Sequence, residues 1–368
     1  MNRIATLTAL LLTACAPTYL EAPESEEGSQ ARAVGTVRVI SWNIETIGGI
    51  GTDEYEAALQ ILDRLDADMV ALQEVDWNVD ADDLETFAAE AGYDHVVTGW
   101  PVDWGSDTQV MLSRFPVLHS ELATATSLSG DPSANDLTRS IPVATLDVWG
   151  QELVVASTHH KASNDIDDQF RRTVDAHRGV QALGSFDPAN DLVIFVGDLN
   201  DDLLDGPNSP SWWTYAPTFL PSSYDLGADM QAQLSGGGFA NDTFAPFEDA
   251  GLTILDAYQL DHGGDVTRPA SGRRLDDLIV SEPLVAQAQT EVYDTYDEGL
   301  GGLPKPGPMP SYGTLDAADH LPVVVDLVVP QLTPLTIHDL QAGDLRITEL
   351  MPDPTDRVES ASTSWGTS

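Results

Sequence analysis

The sequence predicts an α/β domain over residues 36–330, with β-sheet layers covered by helices. Three observations carry this reading. Short apolar, β-branched runs alternate along the chain with segments of 3.6-residue periodicity, the order that builds sheets with helices packed on them. At 368 residues and 42% hydrophobic, the chain holds enough apolar material for one large core. No internal repeat divides it into smaller units.

The N-terminal residues stand outside that pattern. Arg3 precedes an apolar run, Ile4 to Leu12, too short to cross a bilayer as a mature helix. Leu12-Thr13-Ala14-Cys15 then looks like a bacterial lipoprotein signal, so residues 1–14 are expected to be cleaved and Cys15 to carry lipid. Cys15 is the one cysteine, which excludes an intrachain disulfide and a multi-cysteine zinc site. Residues 15–35 are polar, acidic and punctuated by Pro and Gly, a flexible tether. The expected location is the bacterial cell envelope, lipid-anchored at the outer membrane or cell surface, or the extracellular space. The membrane would be a partner through Cys15, and a monomer is assumed.

The elements follow in order. Val37 to Trp42 is an alternating β-branched strand, and Asp53 to Leu65 is a helix with Ala57, Ala58, Ile61, Leu62 and Leu65 on one face. Met69 to Gln73 is a short buried strand, and Asp82 to Ala91 a second helix. Val110 to Leu112, Val143 to Val148 and Leu153 to Thr158 read as strands, Asp165 to Leu183 as a long amphipathic helix, and Asp191 to Val196 as a fully apolar strand. Asp201 to Ala250 shows few periodic signals and reads as a long surface excursion with a little helix. Strands return at Leu278 to Val280 and Pro322 to Val329.

Several of these strands stop at residues that bind cations or move protons. The first ends in Asn43, the second in Glu74, another in His159, and another in Asp198 and Asn200. Asp276 begins a further strand, and Asp319-His320 immediately precede the last. Singly, such residues are turn formers and helix caps. Together, if the ends converge, they make a pocket of hard oxygen donors with two imidazoles. Oxygen donors select Mg²⁺, Mn²⁺ or Ca²⁺, and zinc is disfavoured without a Cys/His cluster. The chain has no nucleophile elbow, no P-loop and no GxGxxG motif, which sets aside acyl transfer and nucleotide-dependent chemistry.

The ordered set Ser41-Trp42-Asn43-Ile44, Leu72-Gln73-Glu74-Val75, Leu112 to Pro116, Thr158-His159-His160-Lys161, Val196 to Asn200, Arg274-Leu275-Asp276 and Asp319 to Val323 resembles the endonuclease/exonuclease/phosphatase, or deoxyribonuclease I-like, superfamily. The resemblance covers about residues 36 to 330, and Gly-Asp-x-Asn and Ala-Asp-His-x-Pro are its most diagnostic pieces. It implies a four-layer α/β sandwich, two mixed β-sheets face to face with helices outside. It also implies divalent-metal hydrolysis of phosphoric esters, Mg²⁺ first among the candidates. By motif, Glu74, Asn43 and Asp319 would hold the metal. Asp198 and Asn200 would position or activate the attacking water. His320 would be base or electrostatic clamp, oriented by Asp276, and His159 would donate to the phosphate or the leaving oxygen. Asp107 is a looser match as a residue orienting His159. Asp277 neighbours Asp276, but strand alternation turns it away. His160 stands where the family has an apolar residue and reads as structural, and Trp212-Trp213 read as loop packing.

Charge narrows the function. Lys+Arg number 16 and Asp+Glu 60, a formal net charge of −44. That excludes an architectural nucleic-acid binder, which depends on many Lys/Arg–phosphate contacts, but not an enzyme that meets phosphate through metal ions. Half of the basic residues fall in two windows, Arg139 to Arg178 and Arg268 to Arg274. They are expected to form a local positive rim, with Lys161, Arg273 and Arg274 touching phosphate; the competing expectation pairs Arg171, Arg172 and Arg178 with acidic neighbours on their own helix. The leading function is a phosphodiesterase acting on nucleic acid. A phosphatase or sphingomyelinase-like lipid phosphodiesterase is the enzymatic alternative, and a catalytically dead surface-binding lipoprotein the non-enzymatic one. In residues 331–368, Leu345 to Pro354 is similar to the opening strand of a lamin-tail-type β-sandwich; about 25 residues are too few for that domain, so the segment reads as its truncated start or as a disordered tail.

Overall fold

A computed structural model describes residues 35–75, 81–98, 108–203, 219–239, 242–261 and 263–330. The expectations for Cys15 and its signal, for Asp107, for Trp212-Trp213 and for residues 331–368 lie outside the described residues. Among those described, no helix is long and apolar enough to cross a membrane.

The expected sandwich is present, built from two βαβ units. Strand β1 (Thr36–Asn43) is followed by helix α1 (Asp53–Leu65) and strand β2 (Met69–Val75), which lies parallel to β1. Thr52 starts α1 by accepting from the Tyr55 N–H, and Asp66 ends it in a left-handed conformation. Helix α2 (Ala81–Glu90), β3 (His95–Thr98) and β4 (Thr108–Ser113) follow, with β4 antiparallel to β2. The second half opens with β5 (Val117–Ala123), α3 (Ala125–Ser129) and β6 (Ile141–Val148). Its parallel crossover is β7 (Gln151–His159), α4 (Ile166–Ala182) and β8 (Leu192–Asp198). Then come α5 (Ala228–Gly236), α6 (Ala245–Asp249), β9 (Thr253–Leu255), β10 (Asp276–Val280), α7 (Glu282–Val285), β11 (Gln289–Val292) and β12 (Val323–Val328).

These strands form two six-stranded mixed sheets, in the orders β11-β12-β1-β2-β4-β3 and β5-β6-β7-β8-β10-β9. Side chains alternate across each strand, so Val37 and Val39 of β1 face the other sheet while Ile40 and Trp42 face α1. The core between the sheets joins Val37, Val39, Met69, Ala71 and Val325 to Leu146, Val155, Ile194, Val196 and Leu278. Each such side chain contributes about 1.5–3 kcal/mol by leaving water. Gln73 of β2 reaches across and donates to Ser157 Oγ of β7 at 3.2 Å, a buried bond that links the sheets near the site. Outer layers are Tyr55, Ala58, Ile61 and Leu62 of α1 on one sheet, and Ala176 of α4 with Phe247 of α6 on the other.

Two departures from the sequence reading have physical causes. The segment expected as a surface excursion contributes a small core of its own, in which Tyr224, Leu226, Met230 and Leu234 pack on Phe170 and Val174 of α4. The strands β3, β5, β9 and β11 lie at sheet edges, where one flank and much of one face are wet, so their apolar pattern is weak. Three of the eight basic residues of the two windows, Arg172, Arg178 and Arg274, are buried. Arg172 faces Asp201, and Arg178 faces Asp136 and Asp229 together with Gln181 of its own helix.

Candidate active site

Topology brings the polar strand ends to one place. The parallel pairs align Asn43 with Gln73 and His159 with Asp198, and the antiparallel pair aligns Asp276 with Asp198. The chain therefore delivers the ends of β1, β2, β7 and β8, the start of β10, and the segment before β12 to one edge of the sandwich. A bulge in β2 between Leu72 and Val75 sets two residues of β2, Gln73 and Glu74, opposite one of β4. Glu74 takes φ +59° there, a strained value for a non-glycine residue that aims its carboxylate at the strand ends. Asn200 takes φ +52°, which asparagine tolerates. At Gly197 the strands close so tightly that a Cβ would stand 2.0 Å from the Thr158 carbonyl oxygen.

Two overlapping clusters result, Glu74 with His159 and Asp198, and Asp198 with Asp276 and His320; in each, the candidate ligand atoms lie within 4.8 Å of one another. Asn43 Nδ2 bridges the first cluster, donating to Glu74 Oε1 and to Asp198 Oδ2, each at 2.9 Å. His159 Nε2 lies 3.4 Å from Glu74 Oε1 and 3.7 Å from Asp198 Oδ2. In the second cluster His320 Nδ1 is 2.7 Å from Asp276 Oδ2. Asn200 donates its N–H to Asp198 Oδ1 at 2.8 Å and its amide to the His160 carbonyl at 3.2 Å.

The surroundings push the two imidazoles apart. Burial, with Arg139, His320, His160 and Lys161 nearby, holds His159 well below the usual histidine range, so it is neutral. Burial also works against charge on His320, but the Asp276 carboxylate, with Asp198 and Asp319, outweighs it and raises His320 to about 9. Burial and the Asp276 charge raise Asp198, and a proton on that carboxyl is correspondingly easier to hold. His160 is buried beside Phe195 and is lowered by burial to about 3, a neutral ring with a structural place.

The donor set fits a divalent cation. Two carboxylates and a neutral imidazole converge, and both ring nitrogens of buried His159 lack a hydrogen-bond partner; Asn43 turns its Nδ2 to the two carboxylates and its Oδ1 to the Glu45 N–H, so its amide braces them. Of the residues expected to hold a metal, Glu74 lies in the first cluster and Asn43 hydrogen-bonds to it. Asp319 does not join the clusters: its Oδ2 accepts from Arg268 Nε at 3.0 Å and Nη2 at 2.7 Å. Its Oδ1 lies 3.7 Å from His320 Nε2.

The basic residues expected to touch phosphate face carboxylates in this structure. Arg274 is buried, and its guanidinium is held by Asp277, Asp256 and the Leu255 carbonyl, because a cation taken out of water needs counter-charge. Lys161 pairs with Asp168 at 3.0 Å, and Arg273 lies toward Asp201 at 3.9 Å, beside Arg172 rather than at the carboxylate clusters. Asp277 faces away from Asp276 onto Arg274, as alternation requires.

Several supports were not read from the sequence. Trp42 Nε1 donates to the His320 carbonyl at 2.9 Å. Arg139 donates to the carbonyls of His159 and His160. Buried Gln109, with its amide turned to satisfy both neighbours, accepts from the His159 N–H at 3.3 Å and donates to Ser140 O at 2.9 Å. Thr267 Oγ1 accepts from the N–H groups of Leu275 and Asp276, at 2.9 and 3.2 Å, and Thr267 O accepts from Leu321 N–H at 2.7 Å. It thus ties the turn before β10 to both halves of the Asp276–His320 pair. Gln109 interrupts an apolar strand, the one signal that marked any of them. Beside Asp319 opens a cleft of about 360 Å³, walled by Glu45, Glu54, Pro269, Leu315 and Asp316.

Comparison with known proteins agrees with this architecture. The profile of the Endonuclease/Exonuclease/phosphatase family matches residues 40–320. No curated protein sequence matches. Among solved structures, TDP2 from Caenorhabditis elegans is similar at 15% identity and a TM-score of 0.49, over 80% of this chain and 74% of that one. An endonuclease/exonuclease/phosphatase from Beutenbergia cavernae is similar at 21% identity and 0.46, over 80% and 72%. The human Nocturnin catalytic domain with bound sulfate anion is similar at 20% identity and 0.48, over 80% and 93%.

Proposed function

The chain belongs to the endonuclease/exonuclease/phosphatase family and is a metal-dependent hydrolase of phosphoric esters; from that premise we propose that it is a phosphodiesterase that cleaves nucleic acid. The observation that carries the proposal is the placing of Asp198 between two imidazoles, 3.7 Å from His159 Nε2 and within 4.8 Å of His320, with burial lowering His159 and the Asp276 carboxylate raising His320. A diester needs one group to accept a proton from the attacking water and another to protonate the departing alkoxide, and environments that separate two titratable groups assign those roles.

In this reading Glu74 and Asp319, with Asn43 adjoining, would hold a divalent cation, and that cation would supply neutralisation of the charge gathering on the phosphoryl oxygens. Asp198 would accept the proton of the attacking water, and Asn43 and the Asn200 N–H hold its carboxylate in place. Asn200 lies beside it to bind a phosphoryl oxygen. His320, cationic through Asp276, serves as electrostatic clamp rather than as base. His159, whose neutral ring carries one N–H, would give that proton to the departing alkoxide. For the N-terminal residues we retain the proposal of a lipid anchor on Cys15, with a place in the cell envelope or outside the cell. It rests on the Leu-Thr-Ala-Cys signal alone, and failure of Cys15 to take up labelled palmitate would end it.

The test is a hydrolysis panel of plasmid DNA, RNA, sphingomyelin and inositol phosphates with Mg²⁺, Mn²⁺, Ca²⁺ or EDTA. DNA or RNA cleavage that EDTA abolishes is the expected result. Release of phosphocholine or inorganic phosphate alone would replace the proposal with the lipid-phosphodiesterase or phosphatase reading.

A further inference from the structure

We propose that Arg268 is the specificity residue that receives the anionic group of the substrate, and that it does so by leaving Asp319 when a divalent cation draws on that carboxylate. The proposal rests on the reading of this chain as a metal-dependent phosphoesterase.

Arg268 is distinguished from the other cations near the site by its partner and its exposure. Arg172 and Arg274 are buried and Lys161 largely so, and they face Asp201, Asp277 and Asp168. Separating a buried pair would strand a charge in the interior. The Arg268 and Asp319 side chains are 40% and 36% exposed, so their pair opens into water at small cost. Both guanidinium contacts go to a single oxygen, Asp319 Oδ2, through Nε and Nη2. That edge of the guanidinium is the fork that takes two oxygens of a phosphate. Asp319 Oδ1 in turn lies 3.7 Å from His320 Nε2, so Arg268 stands one side chain away from the second cluster.

The backbone under Arg268 is fixed. Thr267 anchors the turn to Leu275, Asp276 and Leu321. Arg268 N–H donates to Arg273 O at 3.0 Å, and Arg268 O accepts from the N–H groups of Ser271 and Gly272, each at 3.1 Å. Gly272, at φ +67°, closes the turn. Arg268 is therefore held at the mouth of the site, next to the Asp319 cleft, with only its side chain free to swing.

Metal and guanidinium then compete for Asp319, while guanidinium and metal cooperate on phosphate. These two relations give effects of opposite sign in one variant. In the full chain, Arg268→Gln should bind Mn²⁺ roughly two- to fivefold more tightly, because a competing cation is gone. It should bind inorganic phosphate, titrated calorimetrically into the Mg²⁺-loaded protein, roughly tenfold more weakly, because a charge-assisted fork is gone. Arg268→Lys should fall between wild type and Arg268→Gln on phosphate. Unchanged affinities, or both weakened together as a merely structural role would give, overturn the proposal. If the wild type hydrolyses phosphodiesters while Arg268→Gln gives either of those overturning results, only the Arg268 assignment falls; if the wild type binds neither Mn²⁺ nor phosphate and hydrolyses nothing, the phosphoesterase reading falls with it.

Discussion

Asp276→Asn removes one charge and keeps the shape of a side chain that is almost wholly buried. In the wild type, its carboxylate sits 2.7 Å from His320 Nδ1 and raises that imidazole from an ordinary 6.5 to about 9. That rise corresponds to about 3 kcal/mol of preferential stabilisation of the charged ring. Because the folded value lies above the unfolded one, this stability is fully present below pH 6.5 and is lost as pH rises through 9. Asp198, also raised, loses its contribution with rising pH too, but from its ordinary 3.8 upward and so mainly at lower pH. Metal-free wild-type protein should therefore lose up to about 3 kcal/mol between pH 6.5 and 9.5 in guanidinium denaturation. In Asp276→Asn the burial remains and the largest counter-charge is gone, with Asp198 and Asp319 left to hold the ring, so His320 should titrate well below 9 by NMR and the slope above pH 6.5 should flatten. The introduced amide still offers an oxygen to the His320 Nδ1–H, so the fold should survive while turnover falls at least about a hundredfold. A wild-type His320 titrating near 6.5, or an unchanged pH slope in the variant, would refute the charge logic.

Three further outcomes are expected. His159→Ala, Asp198→Asn and His320→Ala should each lower kcat at least about a hundredfold, roughly 2.7 kcal/mol of barrier, with the circular dichroism spectrum unchanged; a loss below tenfold removes that residue from the mechanism. Gly197→Ala places a methyl group against the Thr158 carbonyl between β7 and β8, and should cost more than about 3 kcal/mol of stability or give no soluble protein; a neutral denaturation midpoint would contradict the close approach. Arg274→Ala leaves Asp277 buried without its cation and should cost about 3–5 kcal/mol in the same assay, with KM for a phosphodiester unchanged in the folded fraction; a raised KM at full stability would return Arg274 to the phosphate rim.

The legible parts of this protein were those with a local cause. Asn43, Glu74, His159, Asp198 and Asp276 stand out because each terminates or starts an apolar strand, and parallel crossovers place such ends on one edge of a sandwich. Alternation alone assigned Asp276 and Asp277 to opposite faces. Partnerships between distant segments left no local trace. Arg274 and Arg268 look alike in the sequence, six residues apart in one basic window, yet one is buried on Asp277 and the other exposed on Asp319. The bulge that aims Glu74 depends on pairing with β4, and the edge strand β5, with His119, Ser120 and Glu121 exposed, lacks the apolar rhythm that reveals inner strands.

Anomalous diffraction from crystals soaked in Mn²⁺ tests the central claim most directly. One ion should appear within roughly 2.0–2.6 Å of a carboxylate oxygen of Glu74, and it should vanish in Glu74→Gln. An ion seated instead at the separate acidic group of Asp165, Asp167 and Asp168, with none at the strand ends, would contradict the account.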